Sequence, residues 1–454
     1  MSDLSSQRYH LAYVFERFPS FTQTFCVREI LELERQGLRP LLFSIRDTRK
    51  ELPRHFPEEL FDRVIFLPPE KELVEEVKRL KAEDKLPKSV VLTLRHWKEK
   101  PDTRDKQRVY EAAWIGQKLA EAGVRHVHSH FAGIGARTGW WLKFLYDVTY
   151  SFTGHANDLW EKQDLPLALD QLMRDAALVA TVSDYSARDL RERFPHAAGR
   201  VKRVYNGLDL TPFRAAAERR NSDSVWKGER LILSVGRLIE KKGYDDLVRA
   251  CGLLQKMDVG DFRCVIVGDG PMEDELNALI AQLHLGERVV LAGPKSQEEI
   301  IELLEQTAVF ALPCVTEREG GKDNLPTVIM EAMAARVACA STILAGVPEM
   351  VIEGQTGRLV PERQPEAFAE ILRDLLASPE ATEAMGRAGY ELAAQIFAKE
   401  ATAKSLRRHL VSYGLTRFDV SLISADPMLA IAYLKQFSRR IARLFRHQAK
   451  DRVG

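Results

Sequence analysis

Arg237 and Lys242, two basic residues at R-x4-K spacing, stand between an apolar run, Leu231–Val235, and a helical pattern in the segment GRLIEKKG. A guanidinium can grip phosphate oxygens bidentately and an ammonium adds a mobile point charge. Such a pair could neutralise a departing nucleoside diphosphate without a metal ion. Basic pairs at this spacing arise easily by chance among 66 Lys and Arg. What gives this one weight is its place after Gly236, where a tight turn passes from strand to helix and the helix start favours an anion. A second group, Asp323, Asn324, Leu325, Thr327 and Glu331, lies in DNLPTVIMEAMA, where a polar loop enters a helix. At helical spacing two carboxylates eight residues apart share a side, about 12 Å apart. One could receive sugar hydroxyls and the other hold a ribose, while N–H groups of the helix start face phosphates. The plainer alternative makes Asp323 a helix cap and Glu331 the partner of a base.

The run ending in VGDGP resembles a dinucleotide fingerprint only in part, because Glu273 occupies the third glycine position of GxGxxG. A structural turn around Gly268, with Pro271 opening the next helix and the loop bordering a nucleotide, is the expectation. His155, in FTGHAND, follows a strand at the end where open α/β sheets bind ligands. His128 and His130 alternate on one strand and face one side, but two ligands do not make a metal site, so they are expected to pack or to line a cleft.

These residues need elements to hold them. Short β-branched or aromatic runs alternate with helical patterns twice along the 454 residues, which predicts an α/β chain of two domains. The first series is Tyr9–Phe15, Pro40–Ile45, Val64–Leu67, His126–His130, Thr149–Thr153 and Leu178–Val182, with helices such as Thr24–Gln36 and Gln107–Ala122 between. The second is Leu231–Val235, Cys264–Val267, Val289–Leu291, Val309–Leu312 and Val337–Ala340. The polar, alanine-rich stretch Arg214–Lys227 reads as the linker. The expected domains are therefore 1–213, a linker 214–228, 229–400, and a closing helix with tail at 401–454. Pro68–Arg108, densely charged and poorly periodic, reads as a solvated, helix-rich insertion, with one wall of an acceptor groove as the alternative.

With 66 basic and 65 acidic residues no global field draws in nucleic acid. Five scattered cysteines without a CxxC pair predict neither disulfides nor a zinc knuckle. No basic stretch precedes a long apolar core near the start, and no uninterrupted apolar run of about 18 residues occurs, so a cytoplasmic protein is expected.

GRLIEKKG, VGDGP, DNLPTVIMEAMA and GVPEMVIEGQTGRLV, taken in order, resemble the C-terminal-domain motifs of the family-4 glycosyltransferases. RFPSFTQTFCVREILELERQG, VHSHFA, FTGHANDLW and TVSDYSARDL resemble the members that build colanic acid and other exopolysaccharides, capsules and lipopolysaccharides. The resemblance implies a GT-B fold: two facing Rossmann-like domains with parallel sheets, a cleft between them, and a C-terminal helix crossing back. It implies a metal-independent, retaining enzyme of the hexosyltransferase type, with a nucleotide-sugar donor, a saccharide acceptor that is lipid-linked, and no cofactor. It places Arg237 and Lys242 on the diphosphate, Glu331 on the ribose, Asp323 at the first glutamate of the family's E-x7-E pattern, and His155 beside the anomeric carbon. The implied catalytic set is His155, Arg237, Lys242 and Asp323. The donor-binding set is Gly236, Arg237, Lys242, Gly268, Asn324, Leu325, Thr327 and Glu331. Three positions depart from the pattern: Asp323 is a shortened glutamate, Arg336 replaces a usual glycine, and Gln23 replaces a frequent glutamate. A nucleotide-sugar epimerase or phosphorylase of the same fold, or a catalytically silent nucleotide-sugar scaffold, is the alternative.

In the tail, Ile431, Leu434, Phe437, Ile441, Leu444 and Phe445 recur at helical spacing, with Lys435, Arg439, Arg440, Arg443, Arg446 and Lys450 mainly opposite. That amphipathic basic helix is expected either to pack on the first domain or to lie on an anionic membrane, where each basic residue adds roughly 1 kcal/mol.

Overall fold

The computed structural model describes residues 8–20, 23–51, 57–98, 105–160, 167–220, 225–257 and 259–416. They form two compact units. One takes in the chain through Thr181, then Asp189–Val204 and the segment starting at Ala403; the other takes in Val182–Arg188 and Tyr205–Thr402. Each is built on one parallel sheet.

The first unit carries β1 (Leu11–Arg17), β2 (Pro40–Arg46), β3 (Val64–Phe66), β4 (His126–His130), β5 (Thr149–Gly154), β6 (Leu178–Thr181) and β7 (Val201–Arg203), in the order β3-β2-β1-β4-β5-β6-β7. The second carries β8 (Arg230–Val235), β9 (Phe262–Val267), β10 (Val289–Leu291), β11 (Thr307–Leu312), β12 (Ala338–Thr342) and β13 (Gly357–Val360), in the order β10-β9-β8-β11-β12-β13. The winding reverses where β1 meets β4 and where β8 meets β11. Loops leaving the carboxyl ends there part to opposite faces, which is where such sheets bind ligands. The central strands are apolar runs because helices cover both faces; β11 is buried at all six positions.

Three expectations need correction. Arg214–Lys227 is not a free linker: Thr211–Arg219 is a helix that buries Phe213, Ala216 and Ala217, and Arg220 beyond it pairs with Glu383 at 2.9 Å. Alanines on one helix face bury as readily as larger residues, so a polar, alanine-rich reading missed the packing. Pro68–Arg108 is helix-rich, as Glu70–Ala82 and Lys88–Lys98, but it is not aperiodic: Leu73, Val77 and Leu80, then Val90 and Leu94, form buried stripes beneath the charge. Pro271 stands two residues before its helix, which begins at Glu273.

The closing helix, Lys399–Ser412, sends Ala403, Leu406 and Leu410 into the first unit's core beside Leu178, Ala180 and Val204. All five cysteines are buried and free of disulfides. No helix among the described residues is long and apolar enough to cross a membrane. The amphipathic tail at 431–450 lies outside the described residues.

Candidate active site

In the second unit, β8 delivers the chain into Gly236, whose N–H bonds the Val267 carbonyl at 2.9 Å. The turn beyond β9 packs directly on it: at Gly268, φ 138°, an added Cβ would lie 2.0 Å from the Gly236 carbonyl oxygen. Gly268→Ala is therefore expected to cost about 2–4 kcal/mol of stability. Gly286→Ala, where nothing lies within 4 Å of the new Cβ, should stay within about 0.5 kcal/mol. Urea midpoints measure both, and equal midpoints would dismiss the close approach as a constraint.

Lys242 is set by a short turn, Glu240–Lys242, closed by Gly243 at φ 65°, where a Cβ would meet the Pro313 carbonyl oxygen at 1.9 Å. Its Nζ lies 2.5 Å from Asp323 Oδ2, and Lys241 Nζ lies 3.8 Å from Asp323 Oδ1. All three side chains are mostly buried. Burial alone would lower the Lys242 ammonium, but Asp323 beside it raises it above the ordinary lysine value, so Lys242 is charged. Burial pushes the neighbouring Cys314 thiol up to about 12, leaving it uncharged. The next helix, Tyr244–Leu254, has Asp245 and Asp246 in its first turn, carboxylates that already answer its dipole. The cationic character here thus comes from the lysines and not from the helix start. The Arg237 side chain is exposed and makes no hydrogen bond or ion pair with the described residues, while its carbonyl accepts from Ile239 N–H at 2.9 Å.

The second motif folds differently from a uniform helix. Pro326 disfavours a helical Leu325, and the helix Thr327–Ala334 begins only after it. Glu331 is therefore just over one turn in, not two, and the 12 Å helical spacing from Asp323 does not apply. Asp323 does not cap the helix, which has no side-chain cap; it pairs with Lys242. Thr327 opens the helix half-buried, leaving first-turn N–H groups without intrahelical acceptors. Leu325 is buried. Asn324 is buried too, with its amide committed elsewhere: Ser183 Oγ donates to its Oδ1 at 2.7 Å and its Nδ2 donates to Ser186 Oγ. Beside it Glu349 accepts from the N–H groups of Asp184 (2.8 Å) and Tyr185 (2.9 Å) and from the Tyr205 hydroxyl (2.9 Å). Thus TVSDYS and GVPE knit Val182–Arg188 into the second unit. A groove of about 760 Å³ opens nearby, lined by residues including Glu240, Asp245, Arg249, Glu275 and Arg318, and not by Lys242, Asp323 or Glu331.

In the first unit His155 follows β5, half-buried, with its N–H donating to Asp158 Oδ1 at 2.9 Å. Its Nε2 lies 3.3 Å from His130 Nδ1, and His130 Nε2 lies 2.9 Å from Glu29 Oε1, which also accepts from Tyr13 Oη at 2.7 Å. His128 is spent internally, with Ser151 at 2.7 Å and Thr153 at 3.0 Å on its two nitrogens. Donor atoms of Glu29, His128 and His130 lie within 4.8 Å of one another. That third potential ligand, a carboxylate, escaped the sequence count, yet both His128 nitrogens are already engaged, so the set is a hydrogen-bonded cluster rather than an open ligand cage. Glu29 was missed although a signal existed: on its helix it shares a side with the buried Cys26 and Leu33, where a lone carboxylate demands a partner.

Comparison with known proteins agrees with this architecture. Residues 24–212 match the family described as Glycosyltransferase Family 4, and residues 217–392 match Glycosyl transferases group 1. The colanic acid biosynthesis glycosyltransferase WcaL of Escherichia coli K12 is 36% identical over 44% of this chain and 48% of its own length. The amylovoran biosynthesis glycosyltransferase AmsK of Erwinia amylovora is 40% identical over 31% of this chain and 34% of its own. The chain thus spans about half the length, or less, of these curated relatives. A glycosyltransferase from Rickettsia africae ESF-5 superposes with a TM-score of 0.64 at 16% identity, covering 88% of this chain and 98% of that one. Anabaena Alr3699/HepE in complex with UDP gives 0.64 at 16% identity, covering 88% and 99%. With two parallel-sheet units and both family matches in series, the chain belongs to the family-4 glycosyltransferases of GT-B fold.

Proposed function

We propose that this protein is a retaining, metal-independent glycosyltransferase of the hexosyl type, moving a sugar from a nucleotide-sugar donor to a lipid-linked saccharide in cell-surface polysaccharide assembly. The observation that carries the reading is the buried Lys241–Lys242–Asp323 cluster at the carboxyl end of β8, beside the β8/β11 reversal. Colanic acid and amylovoran biosynthesis appear in the relatives' names, and the Anabaena protein has been solved with UDP and with UDP-glucose. In this reading Arg237 and Lys242 hold the diphosphate, Glu331 the ribose, and Asp323 the sugar hydroxyls, while His155 gives a hydrogen bond to the reacting sugar or its phosphate. The bond from the anomeric carbon to the phosphate oxygen breaks and one to the acceptor oxygen forms. The acceptor's proton passes to the departing phosphate, whose charge the basic residues stabilise. The basic tail would bring the enzyme to the inner face of the membrane where such acceptors lie.

A panel of nucleotide sugars with free and lipid-linked acceptors tests this. The expected products are nucleoside diphosphate and an extended acceptor of unchanged anomeric configuration, with turnover undiminished by EDTA. Strict dependence on magnesium or manganese would hand the charge-neutralising role to a metal, and an epimerised or phosphorolysed product would replace the reaction class.

A further inference from the structure

Two adjoining imidazoles can share their hydrogen bond in only two ways. If His130 carries both protons, its Nδ1–H donates to His155 Nε2, and a neutral His155 must hold its own proton on Nδ1. If His130 is neutral with its proton on Nε2 toward Glu29, its bare Nδ1 accepts from His155 Nε2–H, and His155 Nδ1 becomes an acceptor. The choice is made at Glu29, 101 positions away in sequence from His130.

We propose that Glu29 is a positioning residue acting through His130: its carboxylate keeps His130 doubly protonated, so that His155 is held as the neutral Nδ1–H tautomer, a hydrogen-bond donor to the ligand and not a base. This rests on the reading of His155 as a ligand contact given above. Glu29 Oε1 receives both His130 Nε2–H at 2.9 Å and Tyr13 O–H at 2.7 Å, the pair of bonds that a buried carboxylate needs in order to stay charged. Burial alone would lower His130, but Cys26, in its thiolate form, and the Glu29 carboxylate raise it well above the ordinary histidine range; burial holds Cys26 as the neutral thiol, so Glu29 is the charge that acts. Burial would raise Glu29, and His130 outweighs it and lowers the acid. His155 is lowered well below its ordinary value, by burial first and then by the charge on His130.

The remaining titratable groups around the relay do not undo this assignment. Burial, with Glu29 adding to it, keeps Tyr13 protonated, and burial raises the Cys26 thiol. His128, from the same strand, is pushed down to about 3 by burial and stays neutral. Burial raises Asp158 to about 7, and its oxygens face the N–H groups of Ala132 and His155, not the His155 ring. Phe25 and Phe131 enclose the His155 ring, with centroids at 5.0 and 4.7 Å, and fix its plane. Nδ1 meets no hydrogen-bond partner among the described residues.

Long-range nitrogen–proton correlation spectra of protein labelled at its histidine nitrogens read the tautomers directly, with His155→Gln and His130→Gln supplying assignments. The expected wild-type result at pH 7 is His155 protonated on Nδ1 alone and His130 on both nitrogens. In Glu29→Gln, His130 should lose a proton and His155 should move its proton to Nε2, with kcat down about 10- to 100-fold and KM changed less than threefold. A wild-type His155 carrying Nε2–H overturns the proposal whether or not any variant folds, as does an unmoved tautomer in folded Glu29→Gln. A tautomer that moves without loss of turnover upholds the relay and instead overturns the reading of His155 as a ligand contact.

Discussion

Lys242→Met should lower turnover by about 10²- to 10³-fold, the loss expected when a desolvated charge that stabilises a departing phosphate is removed. The same change should also destabilise the fold, because Asp323 is left mostly buried with only Lys241, at 3.8 Å, to answer its charge. Removing one partner of such a pair costs more than removing both. Adding Asp323→Asn to Lys242→Met should therefore restore most of the lost stability and none of the lost turnover. Steady-state kinetics and urea unfolding on the two single variants and the double variant separate the roles. Turnover within threefold of wild type in folded Lys242→Met would show that the ion pair is structural and that the phosphate is held elsewhere.

That cycle also accounts for a departure visible in the sequence. Asp323 stands one methylene short of the family's glutamate, and the structure places it 2.5 Å from Lys242 Nζ, so the shorter side chain already fills the space to the lysine. Arg336 has a different explanation. At φ 61° it sits in the left-handed turn directly after the helix Thr327–Ala334, where glycine is cheapest, and its guanidinium lies 5.0 Å over the Tyr390 ring. The usual glycine there answers backbone geometry at a helix end, and the arginine instead turns its guanidinium to Tyr390.

How legible each feature was depended on how local its cause is. Strands covered on both faces must be apolar runs, and eleven of them could be read from sequence to within two residues at most ends. β7 and β13, Val-Lys-Arg and Gly-Arg-Leu-Val, could not: the comparably short edge strands β3 and β10 are wholly apolar, whereas these two carry charged residues or glycine and owe their conformation to pairing with β6 or β12. Gly236 through Lys242 were legible because a strand, a turn and a helix start follow one another within a dozen residues. The helical register of Asp323 and Glu331 was misjudged because Pro326 lies between them, a local signal that was available. The Glu29–His130–His155 chain was beyond reach, since it joins residues from a helix and two strand ends far apart in sequence. Only the sheet order brings β1, β4 and β5 side by side.

His126→Gln should narrow its stability gap from the wild type by about 3 kcal/mol between pH 7 and pH 4. His126, the first residue of β4, is buried with Thr149 Oγ1 at 2.9 Å and Ser151 Oγ at 2.8 Å on the neighbouring β5, and burial lowers it from the ordinary 6.5 to about 3. A histidine whose folded value is depressed contributes stability that is present above 6.5 and lost as pH falls toward 3, because the unfolded chain takes up the proton first. Glutamine keeps polar atoms near both hydroxyls but cannot titrate. The variant should therefore be less stable at pH 7, by about 1–3 kcal/mol for the disturbed hydrogen bonds, and should equal or overtake the wild type near pH 4. The wild-type slope alone would not reveal this. Burial raises Asp158 and Glu111 to about 7, so the folded state holds protons on both that the unfolded chain releases, and acidification stabilises through them. Those contributions are common to both proteins and cancel in the difference. Tryptophan fluorescence is a suitable probe, because Trp97, Trp114, Trp140, Trp141 and Trp160 all belong to the first unit and only Trp226 to the second. A gap in urea midpoints that stays constant from pH 7 to pH 4 would mean that His126 is as easily protonated folded as unfolded, and that its burial does not keep it neutral.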